Sequence, residues 1–211
     1  MNITNMTQKI TIQKGKLGEP DKERKCFYYE DSNEQPILAA GVLFIKKEKG
    51  KDFVLMQKVI EKNKPDKYSD FGGKIEKKDN SIIDTIAREL CEELNKGLYK
   101  IVKKENIYLD TTEELKNLIL QNIVKLIYQK TAKYFVIIVK LPKDIMLDFE
   151  KIGNHEDLDK INRTVHWILY EDFIKLYNGN KNNPNLIHPR LWGGQILKFF
   201  TPKKFGFSKS T

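Results

Sequence analysis

Between Phe71 and Asn95 the chain reads FGGKIEKKDNSIIDTIARELCEELN, and this stretch limits what the rest can fold into more than any other. A glycine pair leads through a turn into a helix with two unlike sides. Ile83, Ile86, Ala87, Leu90 and Leu94 keep the spacing of one helical face, which needs a core to pack against. Glu89, Glu92 and Glu93 stand at i, i+3 and i+4 and project from a common side. Ser81 followed by Asp84 has capping-box spacing, so the helix is expected to begin there.

Three acids so placed repel one another by roughly a few tenths of a kcal/mol per pair, and more when shielded from water. Two arrangements relieve the repulsion. The acids lie on a solvated face and pair with lysines, the usual fate of a charge run. Alternatively they hold a hard divalent cation, which prefers oxygen ligands. Gly72 and Gly73 favour the second, because glycine lets backbone turn sharply or approach a ligand closely. Arg88 is spaced to pair with Glu92 one turn later.

These residues resemble the signature of the Nudix hydrolases: a glycine, five residues, a Glu, seven residues, then Arg-Glu-apolar-any-Glu-Glu-any-Gly-apolar. Gly73 opens it here, and Arg88-Glu89-Leu90-Cys91-Glu92-Glu93 reproduces its second half. Asp79 stands where the first Glu is expected, the loop to Arg88 is one residue longer, and Asn95 replaces the closing glycine. Asn tolerates the left-handed conformation wanted after a helix better than other non-glycine residues.

The resemblance implies an α/β (α+β) fold, a Nudix-like α/β/α sandwich around a mixed curved sheet. It implies an enzyme that cleaves the diphosphate linkage of a nucleoside diphosphate-X, with mRNA cap removal and hydrolysis of ADP-ribose or related nucleotide sugars as leading subclasses. Mg²⁺ or Mn²⁺ would be held by Glu89, Glu92 and Glu93 with the carbonyl of Gly72. Glu89 or Glu156 would accept a proton from the attacking water, and Arg88 would hold the carboxylates in place. Gly73, Lys74 and Phe71 are the candidate substrate contacts. Family members often carry a further acid before a Trp-bearing strand, and Glu156 and Asp157 occupy that position. The competing class is a non-catalytic Nudix-fold nucleotide- or RNA-binding module, disfavoured because all three signature acids are present. A P-loop phosphotransferase is disfavoured because its lysine motif is missing.

The chain around the signature reads as strands with a few helices. Ile37 to Lys46 and Phe53 to Lys58 are expected to form a hairpin, the first strand central. Ile123 to Tyr128, Tyr134 to Leu141 and Arg163 to Leu169 are further strands, and Gly97 to Lys103 and Ile107 to Leu109 are short ones. Thr111 or Thr112 caps a helix to about Asn122, which the minimal family fold lacks. Glu171 to Tyr177 is a short helix, and His188 to Phe200 holds a last one interrupted by Gly193 and Gly194. Asp144 to Asp159 reads as acidic and irregular, and Ile10 and Ile12 as part of an added edge strand. His155, His166 and His188 lack metal-ligand spacing.

With 211 residues, 40% of them hydrophobic, one folded domain is expected: a hydrolase domain over 36–202, after an extension over 1–35 and before a basic tail over 203–211. The net charge of +9 favours polyanionic partners, a nucleotide diphosphate and RNA among them, although lysine-rich composition also follows from genome bias. Cys26 and Cys91 make no disulfide framework, which points to a reducing, cytoplasmic setting. The longest purely apolar run, Phe135 to Val139, is too short to cross a bilayer. In its short, lysine- and asparagine-rich build the chain is also loosely similar to Nudix proteins of large DNA viruses, some of which remove mRNA caps. That likeness implies the cytoplasm of a host cell.

Overall fold

The computed structural model describes residues 6–13, 22–29, 36–60, 66–153, 162–178 and 186–201. The basic tail over 203–211, and His155, Glu156 and Asp157, lie outside the described residues. The two N-terminal strands, β1 (Met6–Gln13) and β2 (Lys22–Tyr29), pair with each other as an antiparallel ribbon, separate from the main sheet. Phe27 of β2 nevertheless bridges Ile37 and is buried in the core.

The main sheet carries β3 (Ala39–Glu48), β4 (Lys51–Ile60), β5 (Lys67–Ser69), β6 (Phe71–Lys74), β9 (Ile123–Gln129), β10 (Tyr134–Lys140) and β12 (Asn162–Leu169). Its main path runs β12-β4-β3-β10-β9. β3 and β10 are parallel and the other pairings antiparallel, so the sheet is mixed. Lys49 and Gly50, both at positive φ, make the tight turn of the β3–β4 hairpin. A smaller sheet joins β7 (Leu98–Val102) to β8 (Glu105–Tyr108) and to β11 (Ile145–Leu147).

Side-chain alternation along the central strands divides the core in two. Val42 and Phe44 of β3 and Phe135, Ile137 and Val139 of β10 face one way, where α1 (Ile82–Glu93) and α2 (Thr112–Gln121) cover them. Leu43 of β3 and Val136 and Ile138 of β10 face the other way. There α4 (Tyr170–Asn178) contributes Phe173, and α5 (Gly194–Phe200) contributes Ile196 and Phe200. This is the expected α/β/α arrangement, with the acidic helix and the last helix on opposite faces.

Helix α1 begins where its cap was expected, with the Ser81 hydroxyl accepting from the Asp84 N–H at 3.0 Å. It ends with Asn95 in the left-handed region at φ 45°. Helix α2 starts on a reciprocal Thr111–Glu114 capping box and buries Leu115, Leu118 and Ile119. One stretch differs from expectation: after Pro142, Ile145–Leu147 adds β11 to β7, and Asp148 caps the single-turn α3 (Phe149–Ile152). The last helix is interrupted at Gly193 and Gly194 as expected, with a separate 3₁₀ turn over Pro189–Leu191 before α5.

Candidate active site

The site sits where the sheet splits. β3 and β4 pair only near their hairpin turn, from Phe44 opposite Leu55 to Glu48 opposite Lys51. Farther in they part, and the chain fills the gap with two short strands. β5 takes the edge of β4, with Ser69 opposite Gln57, and β6 takes the edge of β3, with Gly72 opposite Gly41. Asp70 is the residue between them. Gly72 has φ 155°, and a Cβ there would run into the Ala40 carbonyl and the Gly41 backbone, so only glycine fits.

A crossing of two short strands leaves polar backbone inside the protein, and buried side chains satisfy it. Asp70 is fully buried and accepts from the Tyr134 hydroxyl at 2.9 Å, the Ser69 hydroxyl at 3.2 Å and Arg190 Nε at 2.7 Å. Arg190 also donates to the Asp70 carbonyl at 2.8 Å and the Gly72 carbonyl at 2.9 Å. Burial opposes the charge on Arg190, but Asp70, Tyr134 and Glu93 outweigh it and hold the guanidinium pKa above its ordinary value. Burial, with Asp70 nearby, likewise pushes the Tyr134 hydroxyl well up.

Helix α1 turns its acids in two directions. Glu93 faces the sheet. Its Oε2 accepts from the Gly72 N–H at 2.7 Å, and its Oε1 accepts from Gln57 at 2.9 Å and pairs with Arg163 at 3.1 Å. Burial pushes its carboxyl up to about 7, against the pull of Arg190 and Arg163. Glu89 lies against Gly73, where a Cβ would collide with its carboxylate. Burial raises the Glu89 pKa too, opposed by Arg88. Glu92 is the most exposed of the three.

Arg88 ties this side together, donating to Glu89 at 2.8 Å, Glu92 at 3.3 Å and the Lys74 carbonyl at 2.9 Å. Behind it, buried Asp79 accepts from Arg88 Nε at 3.2 Å and Nη2 at 3.1 Å, from the Thr85 hydroxyl and from the Glu76 N–H. Burial works against the Asp79 charge, but these bonds outweigh it and hold the carboxyl below its usual value. The residue standing at the signature's first Glu thus anchors the arginine.

The family model for the NUDIX domain matches residues 35–188, most of the chain and all of the split sheet and signature helix. The chain belongs to the Nudix family. Among solved structures it is similar to a binary complex of the C. elegans Ap4A hydrolase, at 16% identity and TM-score 0.39 over 77% of this chain and 94% of that one. Another structure of the C. elegans Ap4A hydrolase matches at 18% identity and TM-score 0.32, covering 66% and 85%. The NUDIX domain of Shewanella oneidensis NrtR, cocrystallised with ADP ribose, matches at 11% identity and TM-score 0.37, covering 81% and 90%. No curated protein sequence matches the chain. Family membership supports a Nudix pyrophosphohydrolase.

Of the Nudix residues expected from the signature, Arg88 joins Glu89 and Glu92, Gly73 lies against Glu89, and Glu93 turns away to hold the Gly72 N–H, while the Gly72 carbonyl, expected as a metal ligand, accepts from Arg190. The side chain of Lys74 is exposed, and its carbonyl serves Arg88. Phe71 is a correction: its ring is fully buried in the core and cannot stack on a base. The pairing of Gly41 with Gly72 sets the parity of β6 and turns the neighbouring Phe71 inward. Gln57, Asp70, Tyr134, Arg163 and Arg190 were not anticipated. Only Arg163 left a trace in the sequence, as a lone cation sharing a strand face with Val165 and Trp167.

A hard divalent cation can be tested against these donors. Glu89 Oε2 and Glu92 Oε1 accept no hydrogen bond among the described residues, whereas both Glu93 oxygens are taken. No three His, Cys, Asp or Glu side chains converge on one point among the described residues. Two open carboxylates on adjacent turns fit such a cation by the chemistry of their oxygens.

Proposed function

We propose that the protein is a metal-dependent hydrolase of nucleoside diphosphate-X compounds, with capped RNA and ADP-ribose-type nucleotides as the leading substrates. The observation that carries this is Glu89, held in a desolvated position against the glycine turn with one oxygen uncommitted. That oxygen can bind the cation or accept a proton from an attacking water. Glu92 would share the metal with Glu89; Mg²⁺ or Mn²⁺ there would screen the diphosphate and make bound water more acidic. Glu93 would act through the Gly72 N–H, fixing the turn that lies beside the substrate. Arg88 would keep Glu89 and Glu92 in register while itself held by Asp79. A reducing cytoplasmic setting agrees with Cys26 and Cys91 standing outside any disulfide. Among the described residues no helix is long and apolar enough to cross a membrane.

The rival reading, a Nudix-fold module that binds nucleotide or RNA without cleaving it, has one observation in its favour: Glu93 is wholly engaged in structural bonds. Turnover decides between them. A panel of capped RNA, ADP-ribose and other nucleoside diphosphate-X compounds is incubated with Mg²⁺ or Mn²⁺ and the products are separated by chromatography. Hydrolysis that stops with chelator and falls about 10²–10⁴-fold in Glu89→Gln supports the hydrolase. Binding without turnover across the panel supports the module.

A further inference from the structure

A cleft of about 680 Å³ opens at the C-terminal ends of the parallel strands β3 and β10, and none of the signature acids lines it. Lys46, Lys47 and Lys49 line it from the β3–β4 hairpin, and Lys140 and Lys143 from the end of β10. Its one acid is Glu48, already paired to Lys46 at 2.8 Å. The other four lysines make no ion pair among the described residues. The floor is apolar: Trp167 of β12, Met146 of β11, and Phe149, which opens α3. Phe149 and Met146 are 48% and 42% exposed. The Lys46 ammonium stands 4.5 Å from the Trp167 ring centre.

From this juxtaposition of unpaired cations with an exposed ring, Phe149, and the half-buried Trp167 in one concavity we propose that the cleft binds single-stranded nucleic acid. Bases would lie on Phe149 and Trp167, and backbone phosphates against the lysines. Stacking on aromatic side chains inside a basic groove is how strands are held without sequence preference. An acidic peptide satisfies the lysines but leaves the apolar floor uncovered.

Both walls are tied to the signature helix. Trp167 follows Arg163, which holds Glu93, by four residues on the same face of β12, roughly 13 Å along the strand. On the other wall, the Asp148 N–H bonds the Gly97 carbonyl at 2.8 Å, and Asn95 bonds the Lys151 carbonyl at 3.0 Å, both just past the end of α1. The cleft is thus built on the strand that holds Glu93 and on the segment that leaves α1. The proposal deepens the hydrolase reading towards RNA as the substrate class.

Its test reads binding alone, in chelator, so that it fails or succeeds separately from turnover. Fluorescence anisotropy of labelled oligouridylate and oligothymidylate 12-mers is measured on the full chain from 50 to 200 mM salt. Lys140→Glu/Lys143→Glu is expected to weaken binding at least tenfold and to flatten the log–log salt slope by about 1.4, at 0.7 per lost phosphate contact. Phe149→Ala, at an exposed position, weakens binding roughly 5–100-fold through lost stacking. The control Lys175→Glu/Lys198→Glu carries the same charge change on α4 and α5, across the sheet, and stays within threefold of wild type. Equal loss in cleft and control variants overturns the proposal, as does no loss in either. Loss of binding to polyglutamate or phosphatidylserine vesicles with the oligonucleotides unaffected overturns it in favour of an acidic protein or a membrane.

Discussion

Replacing Arg190 with Met keeps most of the side-chain bulk and removes three hydrogen bonds at once. These are the bonds to the Asp70 carboxylate at 2.7 Å, the Gly72 carbonyl at 2.9 Å and the Asp70 carbonyl at 2.8 Å. The losses are unequal. The Asp70 carbonyl still accepts from Gln57 at 2.7 Å, so its share is small. The Asp70 carboxylate keeps the Tyr134 and Ser69 hydroxyls but loses its ion-pair partner while fully buried. An uncompensated buried charge of this kind costs about 3–5 kcal/mol. At about 2–4 °C per kcal/mol for a chain of this size, Arg190→Met should melt roughly 6–20 °C lower. Urea unfolding at pH 7, with the slope unchanged, measures the loss. Adding Asp70→Asn removes the stranded charge, so the double variant should recover about 1–3 kcal/mol of it. A single variant within about 1 kcal/mol of wild type, or a double variant less stable than the single, would refute the claim that Arg190 exists to neutralise Asp70.

Asp79→Asn should destabilise by about 2–3 kcal/mol, because a charged acceptor of hydrogen bonds from Arg88, Thr85 and the Glu76 N–H becomes a neutral one. The Asp79 carboxyl is held below its usual value, so its stabilisation is complete above the unfolded value near 3.9 and vanishes as pH falls through the folded one. Urea midpoints from pH 5 to 2 should therefore drop more steeply for wild type than for Asp79→Asn; parallel curves count against the role. Gly73→Ala drives a Cβ into the Glu89 carboxylate, and a displacement near 1 Å should lower kcat about 10²-fold while the melting temperature moves only a few degrees. Thr111→Ala breaks the capping box of α2 and should cost about 1 kcal/mol in calorimetry, with kcat unchanged.

Helix α1 was legible because everything that defines it is local. Its cap, apolar face and closing Asn95 all fall within 15 residues, and the structure keeps each of them. The strongly apolar strands were legible for the same reason, since alternate residues of β3 and β10 serve opposite cores. What could not be read is what depends on partners distant in the chain. Arg190 meets Asp70 across 120 residues, and the local string HPRLWGG shows no periodicity that would mark it. Strand β11 has only three residues and is a strand because β7 offers an edge. Phe71 misled because a ring beside a glycine turn looks accessible, and only the register of β6 against β3 decides which way it points.

The acid trio itself shows why spacing alone undercounts what a motif does. At i, i+3 and i+4 the three carboxylates share one side of the helix, yet successive residues diverge by about 100° around the axis. Here that angle separates Glu93 from Glu92. Glu93 lands over the gap between β3 and β4, where the Gly72 N–H, Gln57 and Arg163 need an acceptor. Glu92 and Glu89 land outside it, bridged by Arg88 with one oxygen each uncommitted. The two groups depend on each other. The turn fixed by Glu93 brings Gly73 against Glu89, and the absence of a Cβ there allows the carboxylate to sit so close. A substitution at Glu93 should therefore disturb the turn before it disturbs any chemistry, whereas one at Glu89 should do the reverse.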